Sequence, residues 1–236
     1  MKDFSASIER FEDCEAVLEY VYEACAARGT TAFSYHFTPI FEAATSKNTF
    51  VWARGVPADF EQRYFAEGFR DINPVPQLAS DSGPVVTASQ GAEFARSDKD
   101  AARFFAFFDE IGLSNWAGFA LYGPRSRNAL AALTFARDPD MMEPGELSSV
   151  HTMLQMGHLR ICTIMDSIEP QVVLSERERQ VLRHISRGKS ATEVAARLQI
   201  SPETVKTYIK RIYEKLETND RVTATVRALK LGLLEL

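Results

Sequence analysis

The spacing of apolar residues changes period along the chain, and each change marks an element. Between 6 and 28, Ile8, Phe11, Leu18, Val21 and Cys25 recur at helical intervals and Gly29 follows as a stop, which predicts one amphipathic helix. Thr31 to Phe37 alternates, with Phe33, Tyr35 and Phe37 on one side, as a half-buried strand does. Thr49 to Trp52 continues as a second strand. Pro57 to Glu67 is a helix that carries Phe60 and Tyr64 one turn apart, and Asn73-Pro74 breaks it. A further helix spans Asp100 to Ile111 and is closed by Gly112. The strand-like runs Trp116 to Tyr122 and Ala129 to Phe135 flank the hairpin loop Gly123-Pro124-Arg125-Ser126. Together these predict an antiparallel sheet covered on its faces by helices.

From about Gly145 to Ile168 the pattern is helical again, with Leu147, Val150, Leu154, Gly157, Ile161, Ile164 and Ile168 alternating steps of three and four. Such a stripe suits a dimer interface through Leu154, Gly157, Ile161 and Ile164, with Gly157 permitting close approach. Met153, Met156 and Leu159 would then face the sheet. The alternative is that both sets cover the domain's own core. The expected organisation is a domain over 1–165, a linker over 166–173 that contains Pro170, and a second domain over 174–236.

The second domain gives four helical patterns in about 60 residues. Ser175 and Glu178 form a capping box ahead of Val181, Leu182 and Ile185, and Gly188 ends that helix. A short helix follows from Ser190 to Leu198, with Val194, Ala195 and Leu198 inward. The turn Gln199-Ile200-Ser201 then opens a helix whose Val205, Ile209, Ile212 and Leu216 share one face. Lys206, Thr207 and Lys210 fall on the opposite side. A short helix held by its apolar face and presenting cations and a hydroxyl outward is what reading a DNA major groove requires. Asn219 to Gly232 supplies a fourth, supporting helix.

Charge sharpens that picture. The whole chain carries 27 Lys+Arg against 32 Asp+Glu, a net of -5, but residues 171–236 hold 13 basic against 8 acidic, a net of +5. The remainder holds 14 against 24, a net of -10. Only the C-terminal end is therefore suited to a polyanion. Apolar runs are too short to span a bilayer, and no leader with a basic start and apolar middle opens the chain, so a cytoplasmic protein is expected. Cys14, Cys25 and Cys162 are odd in number and lack metal-ligand spacing, as buried thiols in a reducing compartment would. His36, His151, His158 and His184 are scattered and no Gly-rich phosphate loop occurs, so neither catalysis nor a metal or cofactor is expected.

The run from Leu174 to Ala224 resembles the DNA-binding domain of the LuxR family of bacterial transcription regulators. The signature positions are Glu178, Leu182, Gly188, Glu193, Ala195, Leu198, Ser201, Thr204, Val205, Lys215, Leu216 and Arg221. That resemblance places Lys206, Thr207 and Lys210 toward base edges, and Lys189, Ser201, Thr204, Tyr208 and Arg221 among the DNA-binding positions that cap the helix or meet phosphates. Tyr208 stands where many members carry His. Residues 1–165 are similar to the autoinducer-binding domain of the family's quorum-sensing branch, an α-β-α sandwich that encloses an acyl-homoserine lactone. The carrying motif is F-E-Q-R-Y-F-A-E-G-F-R-D-I-N-P-V, in which Tyr64 and Pro74-Val75 match.

Departures from that motif bear on chemistry. Phe60 replaces a Trp whose indole N–H donates to the lactone carbonyl, and Asn73 replaces an Asp that accepts from the ligand amide. Ala88 stands where a pocket Trp is usual, Trp116 where a Gly is usual, and Thr134 matches a pocket-facing hydroxyl. The resemblance implies a ligand pocket at Phe60, Tyr64, Asn73, Ala88, Trp116 and Thr134, with volume removed at Ala88 and added at Trp116. It further implies a homodimeric regulator on double-stranded DNA, in contact with RNA polymerase and responsive to a lactone or other small amphipathic signal. The alternatives are a ligand-independent regulator with a collapsed pocket, and an antagonist that traps a related regulator in an inactive heterodimer.

Overall fold

In the computed structural model, which describes residues 2–37, 50–143, 145–168 and 172–234, the chain divides between Ser167 and Ile168 into two units. In the first, α1 (Lys2–Ile8) and α2 (Cys14–Ala26) occupy the stretch expected to be a single helix. The break falls where Asp13 turns to extended geometry and its carboxylate accepts from the Ala16 N–H at 2.8 Å, a cap that starts α2 afresh. Then come β1 (Thr30–Phe37), β2 (Phe50–Arg54), α3 (Phe60–Ala66), α4 (Val75–Ser82), β3 (Val85–Thr87), α5 (Ala88–Ala95), α6 (Lys99–Glu110), β4 (Trp116–Leu121), β5 (Ala129–Phe135) and α7 (Glu146–Ile168). The expected second strand began at Thr49, which lies outside the described residues. Of the expected linker, residues 169–171 also lie outside them, while α7 continues through 166–168.

The strands form one antiparallel sheet in the order β2-β1-β5-β4-β3. Phe33, Tyr35 and Phe37 of β1, Phe119 and Leu121 of β4 and Leu133 and Phe135 of β5 face a core shared with α1, α2 and α7. The alternate positions face a second core built by α3 to α6, where Phe60, Tyr64, Phe104, Phe107 and Phe108 cluster. The half-buried strand expected at 31–37 is thus buried on both faces, because helices cover both sides of the sheet. The α-β-α sandwich with an antiparallel sheet is the observed fold of this unit.

The stripe on α7 requires a correction. Leu154, Ile161 and Ile164 are buried among Ile8, Val17, Leu18 and Val21, inside the domain's own core. Gly157 faces α2 so closely that an added Cβ would lie 2.6 Å from Val21 Cγ2. Its small size serves helix packing within one chain, and the four residues are unavailable to a partner. Leu159, expected to face the sheet, is instead exposed.

A buried polar chain crosses this core. The Arg127 carbonyl can only accept, so His158 Nε2 donates to it at 2.8 Å. His158 Nδ1 is then the acceptor for the Tyr35 hydroxyl at 2.7 Å. Burial pulls the His158 pKa from 6.5 down to about 4, partly opposed by the bond to Arg127. Arg127, itself buried, pairs with Asp166 in the last turns of α7. Burial pushes the thiols of Cys25 and Cys162 up to about 12, so both stay protonated; Cys14 is only half-buried.

The second unit comprises α8 (Glu176–Ser186), α9 (Ala191–Leu198), α10 (Pro202–Lys215) and α11 (Arg221–Lys230). The hydroxyls of Ser175, Ser190 and Ser201 and the Asp220 carboxylate cap the four N-termini, each accepting from the backbone N–H three residues on. Val181, Leu182, Ile185, Val194, Val205, Ile212, Ala224 and Ala228 form the core. Glu178 is buried beneath it, where its carboxylate accepts from Ser175 N and Lys215 Nζ, both at 2.7 Å. Desolvation alone would raise its pKa; the bonds to Lys215 and Ser175 outweigh that and hold it below the ordinary carboxylate value.

Candidate functional site

Two places among the described residues bring the expected site residues together. The first is a cavity of about 20 Å³ between the sheet and α3, α4 and α6. The sheet supplies Ser34 and His36 from β1, Trp116 from β4, and Leu130 and Ala132 from β5; the helical side supplies Tyr64, Asn73, Val75, Phe104 and Phe108. That volume is about one water molecule. Trp116 explains why it is so small. Its indole stacks on Phe105 with centroids 5.1 Å apart and planes 8° from parallel, under α5. Gly91 makes this packing feasible, since a Cβ there would lie 2.6 Å from the Trp116 ring.

Of the six residues expected in the pocket, Tyr64, Asn73 and Trp116 line the cavity. Phe60 does not: it stacks behind Tyr64 at 5.6 Å and packs on Phe107 and Phe108. Ala88 begins α5 and packs with the surrounding core; β3 pairs Thr87 with Ala117, so Ala88 follows beside Trp116. Thr134 is buried on β5, opposite Trp116 in register, and is not among the lining residues.

The polar groups of the cavity are ordered by one bond. Val75 N donates to Asn73 Oδ1 at 3.0 Å, so the Asn73 Nδ2 amide faces Tyr64 and donates to its hydroxyl oxygen at 3.1 Å. Burial pushes the Tyr64 pKa up to about 12, against the pull of the Asn73 bond, so the hydroxyl keeps its proton. Ser34 and His36 were missed in the sequence. His36 Nε2 lies 3.2 Å from Ser34 Oγ, its ring meets the Tyr64 ring edge to face at 5.7 Å, and burial lowers its pKa to about 4, leaving it neutral.

The second place is the outer face of α10. Val205 and Ile212 are fully buried and Ile209 half-buried, while Lys206, Thr207 and Lys210 are exposed. The Thr207 hydroxyl donates to the Glu203 carbonyl at 3.0 Å, which leaves its methyl and oxygen lone pairs outward. Lys210 pairs loosely with Glu214 at 3.8 Å on the surface, a contact worth little and easily exchanged. Ser201 and Thr204 bond each other at the start of the helix, and Lys189 lies 3.5 Å from Glu193. Tyr208 is half-buried against the core, and Arg221 donates to the Lys189 carbonyl, so it ties α11 to the turn before α9. Arg211, exposed one turn beyond Thr207, is a cation on the same face that was not anticipated; its i, i+4 spacing from Thr207 was the available signal.

An α-β-α domain with a cavity between sheet and helices, followed by a helix-turn-helix with a cationic face, defines a sensing domain joined to a DNA-binding one. Residues 13–161 match the family model described as the autoinducer binding domain, and residues 172–228 match that of the bacterial regulatory proteins of the luxR family. The chain belongs to the LuxR family of bacterial transcription regulators with an autoinducer-binding domain, and is a DNA-binding regulator of the quorum-sensing type, not an enzyme. It is 29% identical over 185 residues to the transcriptional activator protein SolR of Ralstonia solanacearum, covering 75% of each chain. It is 26% identical over 238 residues to the quorum sensing-dependent transcriptional regulator RpaR of Rhodopseudomonas palustris, covering 99% of this chain and 94% of that one. A structure of SdiA in complex with octanoyl-rac-glycerol shares its fold, with a TM-score of 0.77 and 19% identity over 98% of this chain and 94% of that one. No described helix is long and apolar enough to cross a membrane.

Proposed function

We propose that the protein acts in the cytoplasm as a homodimer that binds a pseudo-palindromic DNA site through two copies of α10, and that a small amphipathic signal held beside Tyr64 and His36 biases this binding. Lys206, Thr207 and Lys210 meet base edges, while Lys189, Thr204, Tyr208 and Arg221 meet phosphates and the Ser201 cap aims the helix at them. The observation that carries the reading is the division of α10: Val205 and Ile212 on its apolar side are fully buried, and its cationic side is open. The signal acts by binding one arrangement of the sensing domain better than another, which shifts the population of DNA-competent dimers. Contact with RNA polymerase follows for a regulator of this kind.

Electrophoretic shifts with specific and scrambled DNA test the assignment. Lys206→Ala lowers discrimination by about 1–2 kcal/mol, whereas Lys189→Ala weakens both complexes alike and reduces the salt slope by about 1. Equal loss on both DNAs for Lys206→Ala would show that this lysine does not read bases. A second reading, DNA binding without a ligand, is favoured by the cavity of about 20 Å³ around Trp116. Absence of any ligand-induced rise in unfolding temperature supports it over the first.

A further inference from the structure

The motif resemblance assigns recognition of the ligand's polar head to an indole at position 60, but Phe60 has no donor and stands behind Tyr64, away from the cavity. Asn73 is partly committed: Oδ1 accepts from Val75 N and Nδ2 donates one of its two hydrogens to Tyr64. Among the described lining side chains, the polar groups without any partner are the Tyr64 hydroxyl hydrogen, His36 Nδ1 and the Trp116 indole N–H, with Ser34 bonded to the far nitrogen of His36. Val75, Phe104, Phe108, Leu130 and Ala132 are apolar, and none of the described lining residues is charged.

Resting on the ligand-responsive reading above, we propose that His36 is the specificity-determining residue of this pocket. It bonds one polar atom of the ligand's head while Tyr64 donates to a carbonyl of the same head. The geometry selects an uncharged amide or ester with a second donor or acceptor next to its carbonyl. A charged head is disfavoured, because the described lining residues offer no counter-charge and a buried unpaired charge is costly. Ser34 is the positioning residue, since its hydroxyl holds the Nε2 side of the imidazole and leaves Nδ1 without a protein partner among the described residues. Trp116 sets the size limit: a head group larger than a water molecule enters only as the indole yields.

The test uses the full-length protein and two neutral probes, N-octanoyl-homoserine lactone and 1-octanoyl-rac-glycerol, titrated by tryptophan fluorescence and by thermal unfolding. Wild type and Trp116→Ala, whose pocket is enlarged, are measured in parallel, each with and without His36→Phe and His36→Gln. In whichever background binds, His36→Phe weakens a probe at least about 10-fold, the effect of stranding a buried polar partner, and His36→Gln stays within about 3-fold. If His36→Phe does not fold, His36→Leu takes its place. The unmutated protein gives a check that needs no substitution: the ring nitrogen resonances of His36 move on adding the probe. Binding that is unchanged in His36→Phe, or His36 resonances that stay in place, overturns the assignment and leaves the ligand reading standing. No binding of either probe in either background overturns the ligand reading and the assignment together.

Discussion

The two working surfaces of this protein are built by opposite means. On the proposed DNA-reading face a single 14-residue helix, α10, supplies the base-facing residues: Val205 and Ile212 are sealed into the core, and Lys206, Thr207 and Lys210 remain exposed on the other side. In the sensing domain the proposed ligand site lies inside, on groups drawn from residues 34 to 132 and brought together by β1, β4, β5, α3, α4 and α6. An exposed face tolerates loss of a side chain at the cost of one contact with DNA. An internal site ties recognition to stability, because each polar group buried there must be neutral or bonded.

That contrast is sharpest under acid. Burial lowers the pKa of both His36 and His158 from 6.5 to about 4. Between these values the unfolded chain takes up protons that the folded domain refuses. Stability is therefore full above about pH 6.5 and falls as the pH drops toward 4, on the order of 3 kcal/mol for each histidine. The C-terminal Glu178, whose pKa is lowered, loses its contribution only below the ordinary carboxylate range. Both tryptophans, Trp52 and Trp116, lie in the sensing domain, so fluorescence-detected melting at pH 7 and pH 4.5 follows that domain alone. An unchanged midpoint would mean that water reaches the two imidazoles.

Next in size, Gly157→Leu drives a side chain into Val21 and costs about 3 kcal/mol in the fluorescence transition, with no change in association state by size-exclusion chromatography. Loss of association with an unchanged transition would return the α7 stripe to an intermolecular role. Smaller again, Glu178→Ala removes a capping box and the acceptor for Lys215, and destabilises the C-terminal helices by about 2 kcal/mol by circular dichroism. The fluorescence transition stays where it was, unless the two domains unfold together.

The C-terminal domain was legible because its signals are local. Each helix opens on a side chain that accepts from a backbone N–H three residues later, and Ser175, Ser190 and Ser201 stand in the positions their spacing predicts. In the sensing domain Phe11 continues the helical period across the gap between α1 and α2, so the cap at Asp13 was read through. The short elements α4, β3 and α5 are below the length at which periodicity speaks. Periodicity assigns a face and not a depth, which is why the α7 stripe was placed on the surface; Phe60, Ala88 and Thr134 were carried into the cavity by the motif resemblance, which does not register how Trp116 repacks the site. Ser34 and His36 did leave a trace: in a strand expected to be covered on both sides, polar residues alternating with Phe33, Tyr35 and Phe37 have to sit beneath a helix.

Gly91 couples the two rings packed beneath α5. Its missing Cβ is the space into which the Trp116 indole and the Phe105 ring fit together, so a side chain at 91 is felt by both. Starting from this sequence, Gly91→Ala is penalised by both rings, and a smaller residue 116 relieves only the Trp116 share while the contact with Phe105 Cζ at 2.9 Å stays, a coupling that a double-mutant cycle reads directly.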